Sequence, residues 1–129
     1  MDATGIAGIV FAVVAGGVIV FQLALALGAP WGAYAMGGAF PGRFPTPMRV
    51  AAVVQAVVVG FMSMGVLSAA GIVLPSLREA TPWLVWPAVV FSAVAVVLNA
   101  ISRSAGERKI WVPVSLVMLI SSLLVALGA

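Results

Sequence analysis

Cysteine and histidine are both absent from this 129-residue chain. The first absence excludes disulfides and thiolate chemistry. The second removes the commonest zinc ligand and the side chain that most often moves protons near neutral pH. Charge is scarce too: 7% of the residues are Asp, Glu, Lys or Arg, and only three of these are acidic. The net charge of +3 comes from basic residues scattered over short connections, a pattern that suits membrane orientation rather than nucleic acid.

What the chain has instead is apolar side chains, 64% of the total. A water-soluble domain of this size leaves about a third of its unfolded-chain surface wet, too much for such a composition. Lipid is the alternative solvent. Four apolar runs are each long enough to cross a hydrocarbon core of about 30 Å as a helix, and the whole chain, residues 1–129, reads as one transmembrane domain. The expected helices cover about 5–27, 48–70, 82–101 and 110–128. Gly28 and Pro30 close the first; Thr46-Pro47 and Thr81-Pro82 look like a cap followed by a first-turn proline for the second and third. No Lys or Arg precedes the first run, which is too long for the core of a signal peptide, so it is expected to be retained as a helix. Sequential helices with short connections lie antiparallel as neighbours. The predicted fold is all-α, an up-down-up-down four-helix membrane bundle.

Lys and Arg set the expected orientation. The first and third connections with their flanks hold Arg43, Arg49, Arg103, Arg108 and Lys109, whereas the opposite side holds Arg78 alone. The bias places loops 1 and 3 in the cytoplasm of a bacterial cell and both termini outside. Trp31, Tyr34 and Trp111 are expected at one interface, Trp83 and Trp86 at the other. Two stripes of small residues at spacing four, Gly8-Ala12-Gly16 and Ala52-Ala56-Gly60, are expected to let helices 1 and 2 approach closely, or to serve a homo-oligomer contact.

No charged residue falls in the middle of an expected span, whereas proton-coupled transporters need one there. The small multidrug-resistance exporters share the size and four helices, but carry a Glu inside the first helix, and this chain has none. The deep polar side chains are uncharged. Gln22, Gln55 and Ser115 lie about 9 Å below one interface at 1.5 Å per residue, with Asn99 slightly above them. An unpaired amide in lipid is costly, so the four should point inward. They form either a hydrogen-bonded clamp or the lining of a cytoplasm-facing pocket. Ser63, Ser68, Ser121 and Ser122 are expected to bond to their own helices.

Above that layer stands "SRSAGERK", residues 102–109, in which Glu107 can pair with Arg103 and the basic residues can meet anionic lipid head groups. Residues 29–47, "APWGAYAMGGAFPGRFPTP", are longer than a simple connection needs. The apolar Trp31, Tyr34, Met36, Phe40 and Phe44 suggest a lid on the cytoplasmic face, or a surface that dips into the membrane interface. "LGAPWG", "PGRFP", N-x-x-S-R-S-x-x-E-R and W-x-P together resemble a group of uncharacterised small bacterial four-helix integral membrane proteins. The resemblance covers nearly the whole chain and implies a multi-pass protein of the cell membrane, with no catalytic residue. A lone Glu107 beside serines, without a base, metal or cofactor, is a poor catalytic set. The expected function is therefore non-enzymatic: an accessory or ligand- or lipid-binding membrane subunit, with a membrane-protein partner or a second copy as the expected macromolecular contact. The candidate ligand residues are Gln22, Trp31, Arg43, Gln55, Asn99, Arg103, Glu107 and Arg108. A small homo-oligomeric channel or uniporter is the alternative.

Overall fold

A computed structural model describes residues 2–128 and, within them, every side chain except those of Pro75, Arg78 and Thr81. The chain folds as four helices, α1 Ala3–Ala26, α2 Thr46–Ala69, α3 Thr81–Ala100 and α4 Ala105–Gly128, with no strand among the described residues. All four are long and apolar enough to cross a membrane, and the protein is a multi-pass membrane protein on that basis. Each helix packs on its sequence neighbour and α4 closes on α1, so the bundle is a ring of antiparallel neighbours. One end, the basic end, carries the α1–α2 and α3–α4 connections with Arg43, Arg49, Arg103, Arg108 and Lys109. The other carries both termini and the α2–α3 connection, where a short 3-10 segment, Pro75–Ala80, contains Arg78; the side chain of Arg78 lies outside the described residues.

The helix boundaries follow from local chemistry. Asp2 caps α1, its carboxylate accepting from the Gly5 N–H at 2.8 Å. Beyond α1, Gly28 takes φ +101°, a conformation open to glycine and costly for other residues. The expected Thr46 cap is displaced by one position: Pro45 occupies the N-cap in extended conformation, and Pro47 falls within the first turn. At α3 the cap position is Ala80 rather than Thr81, whose side chain is outside the described set. The largest departure is α4, which starts five residues before the expected 110. Ser104 initiates it, its hydroxyl accepting the Glu107 N–H at 3.1 Å. A Ser followed three residues later by Glu is a helix-start signal. The early start leaves Pro113 inside the helix, with Pro87 likewise inside α3.

Packing is tightest away from the basic end. Phe11, Ala15, Val59, Val66, Val85, Ala88 and Val125 are wholly buried there. Backbones approach closely at two glycines. A Cβ on Gly8 would stand 2.6 Å from the Ala70 Cβ, and one on Gly65 would stand 2.7 Å from the Leu84 carbonyl oxygen. The two expected stripes do not mesh end to end, because antiparallel pairing sets Gly8 against the far end of α2. Ala52 and Ala56 are buried, whereas a Cβ on Gly16 would meet nothing within 4 Å. Outward-facing residues such as Phe61 (75% exposed) and Trp83 (85% exposed) would be a liability in water and are at home in hydrocarbon. Ser121 and Ser122 bond back to the Val117 and Leu119 carbonyls at 2.6 and 3.1 Å, as expected of serines in lipid-embedded helices. Ser63 departs from that expectation: its buried hydroxyl has no partner among the described residues.

Candidate functional site

At the basic end the helices do not close on one another. They enclose a cavity of about 800 Å³, bounded by all four helices and by residues 34–44 of the first connection. That volume lies within the range of pockets that hold small organic ligands. The wall is built by helical periodicity. Steps of three and four residues place Val18 and Gln22 of α1 on one face, and Met48, Ala51, Ala52 and Gln55 of α2 on another. Phe91, Ala95, Leu98 and Asn99 continue it on α3, and Glu107, Trp111, Ser115 and Met118 on α4. The floor is apolar, formed by Val18, Phe91 and Met118, and the amides stand above it.

Four polar residues thus share one cavity but not one hydrogen-bond network. Asn99 Nδ2 lies 3.4 Å from the Ser115 Oγ and 3.4 Å from the Trp111 carbonyl, a loose tie between α3 and α4. Ser115 donates to the Trp111 carbonyl at 2.5 Å. The Gln22 and Gln55 side chains are half-buried, line the cavity, and have no hydrogen-bond partner among the described residues. Of the two sequence readings, the clamp is present only in its α3–α4 half.

The first connection forms the roof. Phe44 is buried against Leu25 and Ala52, with Phe21, Phe40 and Met48 packed around them. Trp31 stacks on Phe21 at a centroid distance of 6.1 Å, and Phe21 meets Trp111 edge-on at 4.6 Å. Gly32 donates to the Gly42 carbonyl at 2.8 Å and folds the loop back on itself; a Cβ on Gly32 would collide with the Phe40 carbonyl. Three side chains of the α3–α4 turn and the start of α4 then hold the roof in place. Ser104 Oγ donates to the Ala33 carbonyl at 2.7 Å, and Trp111 Nε1 donates to the Tyr34 carbonyl at 2.8 Å. The third is Glu107, whose Oε2 accepts the Gly37 N–H at 2.8 Å. Met36, Gly37 and Gly38 all have positive φ, +52°, +67° and +79°. That run turns the Gly37 amide toward the carboxylate, and at Met36 it carries the strain of a non-glycine residue in the left-handed region.

Glu107 is 8% exposed. Its Oε2 also accepts from the Ser102 hydroxyl at 3.1 Å, and Ser102 Oγ in turn accepts the Ser104 N–H at 3.1 Å. Oε1 has no partner among the described residues. The expected pairing of Glu107 with Arg103 is not formed: Arg103 is exposed, and the carboxylate is held by a backbone amide and a hydroxyl. Arg108 instead donates to the Ser102 carbonyl, which fixes the turn.

Of the eight candidate residues, Gln22, Gln55, Asn99, Arg103 and Glu107 line the cavity. Trp31 stands behind the wall against Phe21. Arg43 and Arg108 are exposed and outside the lining. The sequence reading missed Phe21, Phe91 and Met118 as wall residues and the Gly37 amide as a polar contact. Phe91 and Met118 were within reach of helical periodicity applied outward from Asn99 and Ser115, whereas Phe21, adjacent to Gln22 in the chain, lies off its three-to-four-residue repeat. The Gly37 contact joins residues 70 apart, and no local pattern encodes it.

The chain matches no protein-family model, no curated protein and no solved structure. Its own residues carry the functional argument.

Proposed function

We propose that this protein is a non-enzymatic binding subunit of a bacterial cytoplasmic membrane, with its cavity opening toward the cytoplasm and both termini outside. Membership of the small bacterial four-helix proteins that its motifs resemble belongs to the same reading. The observation that carries it is the pair of half-buried glutamines facing an 800 Å³ cavity without protein partners. Amides kept in that state are costly unless a guest or water satisfies them. An apolar floor beneath polar groups suits an amphipathic guest whose chain lies deep and whose head reaches the rim. The residues offer poor material for catalysis. Ser102 and Ser104 are occupied in holding backbone and carboxylate, and no group of His, Cys, Asp and Glu able to hold a metal occurs among the described residues. Around the roof the exposed Arg43, Arg103, Arg108 and Lys109 suit contact with anionic lipid head groups. No specific observation favours the channel alternative. Beyond the cavity floor the bundle is filled by the buried Ala15, Val59, Ala88 and Val85, so a conducting path would have to run between copies.

Native mass spectrometry of protein released from mild detergent tests the binding role. The wild type is expected to retain a small amphiphile, and Ala95→Phe, which places a ring in the cavity, is expected to lose it. Gln22→Ala with Gln55→Ala should weaken retention while changing unfolding by less than about 1 kcal/mol, the scale of two interhelical hydrogen bonds. Bare wild-type protein, or equal retention by the filled cavity, overturns the proposal. Loss of stability without loss of binding restores the clamp.

A further inference from the structure

The binding reading leaves the chemical class of the guest open, and Glu107 narrows it. We infer that the cavity takes a long-chain organic ammonium, with the Glu107 carboxylate as its counter-ion; this rests on the binding reading above. Three observations support it. Glu107 is more than nine-tenths buried and lines the cavity, and its carboxylate has hydrogen-bond donors on one oxygen only. Oε1 is partnered by nothing among the described residues and is not fully enclosed, so it keeps exposed surface on a residue that lines the cavity. The N-terminal end of α4, in whose first turn Glu107 stands, offsets only part of a buried carboxylate's charge, and no described residue forms an ion pair with it. An N–H donor carrying positive charge matches both the vacant acceptor and the missing charge.

The neighbouring surfaces fit the rest of such a molecule. Trp111 and Tyr34 line the same mouth, and aromatic faces attract alkylammonium groups. The chain of the guest would run past the Gln22 and Gln55 level to Val18, Phe91 and Met118. Arg103 also lines the cavity but is exposed. Its charge is screened over about 8 Å at physiological salt, whereas the carboxylate acts in a low-dielectric setting where a direct pair is much stronger. An anionic head placed at the same depth would meet the unpaired Oε1 and be repelled.

The test uses the full chain in phosphatidylcholine nanodiscs and three bromine-labelled probes with the same tail: dodecylammonium, dodecanol and dodecanoate. Every protein in the series, the reference with the wild-type cavity included, carries Trp31→Phe, Trp83→Phe and Trp86→Phe, so that saturable quenching of the remaining tryptophan reads occupancy beside Trp111. Dodecylammonium is expected to bind at least about tenfold more tightly than dodecanol, the scale of one hydrogen bond to a charged group. Glu107→Gln keeps an acceptor oxygen for Gly37 and Ser102 and should erase that difference. Arg103→Gln should leave it in place. Comparing variants in the same nanodiscs cancels the partitioning of each probe into lipid, and the probe series on the reference protein decides the matter even if Glu107→Gln folds poorly. Equal saturable binding of all three probes overturns the ammonium assignment and leaves the binding cavity standing. A preference for dodecanoate that Arg103→Gln abolishes overturns it in favour of an anionic guest. Absence of saturable quenching by any probe removes the binding reading itself.

Discussion

At the scale of single residues, the basic end is organised by a few donors that each have one place to go. Trp111 illustrates this. Its ring forms cavity wall and meets Phe21 edge-on, while its indole N–H holds the roof through the Tyr34 carbonyl. Trp111→Phe separates the two roles by keeping an aromatic surface and deleting the donor. Loss of one such hydrogen bond is expected to cost about 1 kcal/mol, felt in the loop more than in the bundle. Hydrogen exchange should quicken at amides 34–38 while thermal unfolding changes little. Unchanged exchange there, with a lowered melting temperature, would show that the indole N–H does not hold the roof. Glu107 is the residue whose surroundings the sequence conceals most. In the chain it is one acidic residue in a basic turn, and a pairing with Arg103 is the obvious expectation. What decides otherwise is Gly37, brought over it by the fold of the first connection.

At the scale of elements, helix identity and spacing come from the sequence, whereas the contacts come from how the helices cross. Gly8 and Gly16 look alike in the chain, as members of one small-residue stripe. In the bundle Gly8 abuts Ala70 and Gly16 faces open space. Gly65 belongs to neither stripe, yet it has the close backbone approach, to the Leu84 carbonyl. Gly65→Ala should force α2 and α3 apart and destabilise the protein by about 1–3 kcal/mol, as overpacking does. Gly16→Ala should be neutral, or stabilising by up to about 1 kcal/mol through helix propensity. Unfolding in graded denaturing detergent ranks the two. Equal effects would contradict the crossing described here. The start of α4 carries a similar lesson: Ser104 and Glu107 spell the signal, but charge around them made the stretch read as a turn.

At the scale of the whole molecule, cation placement and cavity placement coincide. Five of the six Lys and Arg residues lie at the end that holds the cavity, so the proposed orientation makes the cavity face the cytoplasm. The cysteine-free sequence makes this direct to check. Single replacements Ala39→Cys and Ala105→Cys, at exposed positions of the basic end, should react with an impermeant maleimide only after the membrane is opened. Ser76→Cys, exposed in the α2–α3 connection, should react in intact cells. Labelling of Ala39→Cys and Ser76→Cys from the same side would invalidate the four-span map, and with it the common level of Gln22, Gln55 and Asn99.

The sequence by itself determined the solvent, the number of helices and the end at which charge collects. Each of these is a sum over many residues: apolar length sets a span, and the asymmetry of Lys and Arg sets the basic end. It also set the expectation that Gln22, Gln55 and Ser115 share a level with Asn99 slightly above, because depth along a helix is counted in residues. Only the tertiary structure decided that the glutamines face an open cavity while Asn99 and Ser115 meet. Only it decided that the long connection is a roof fastened to α4, and that Glu107 lies buried with one oxygen vacant. Those outcomes depend on the rotation of each helix about its axis and on contacts between residues far apart in the chain, which local patterning leaves free and packing fixes.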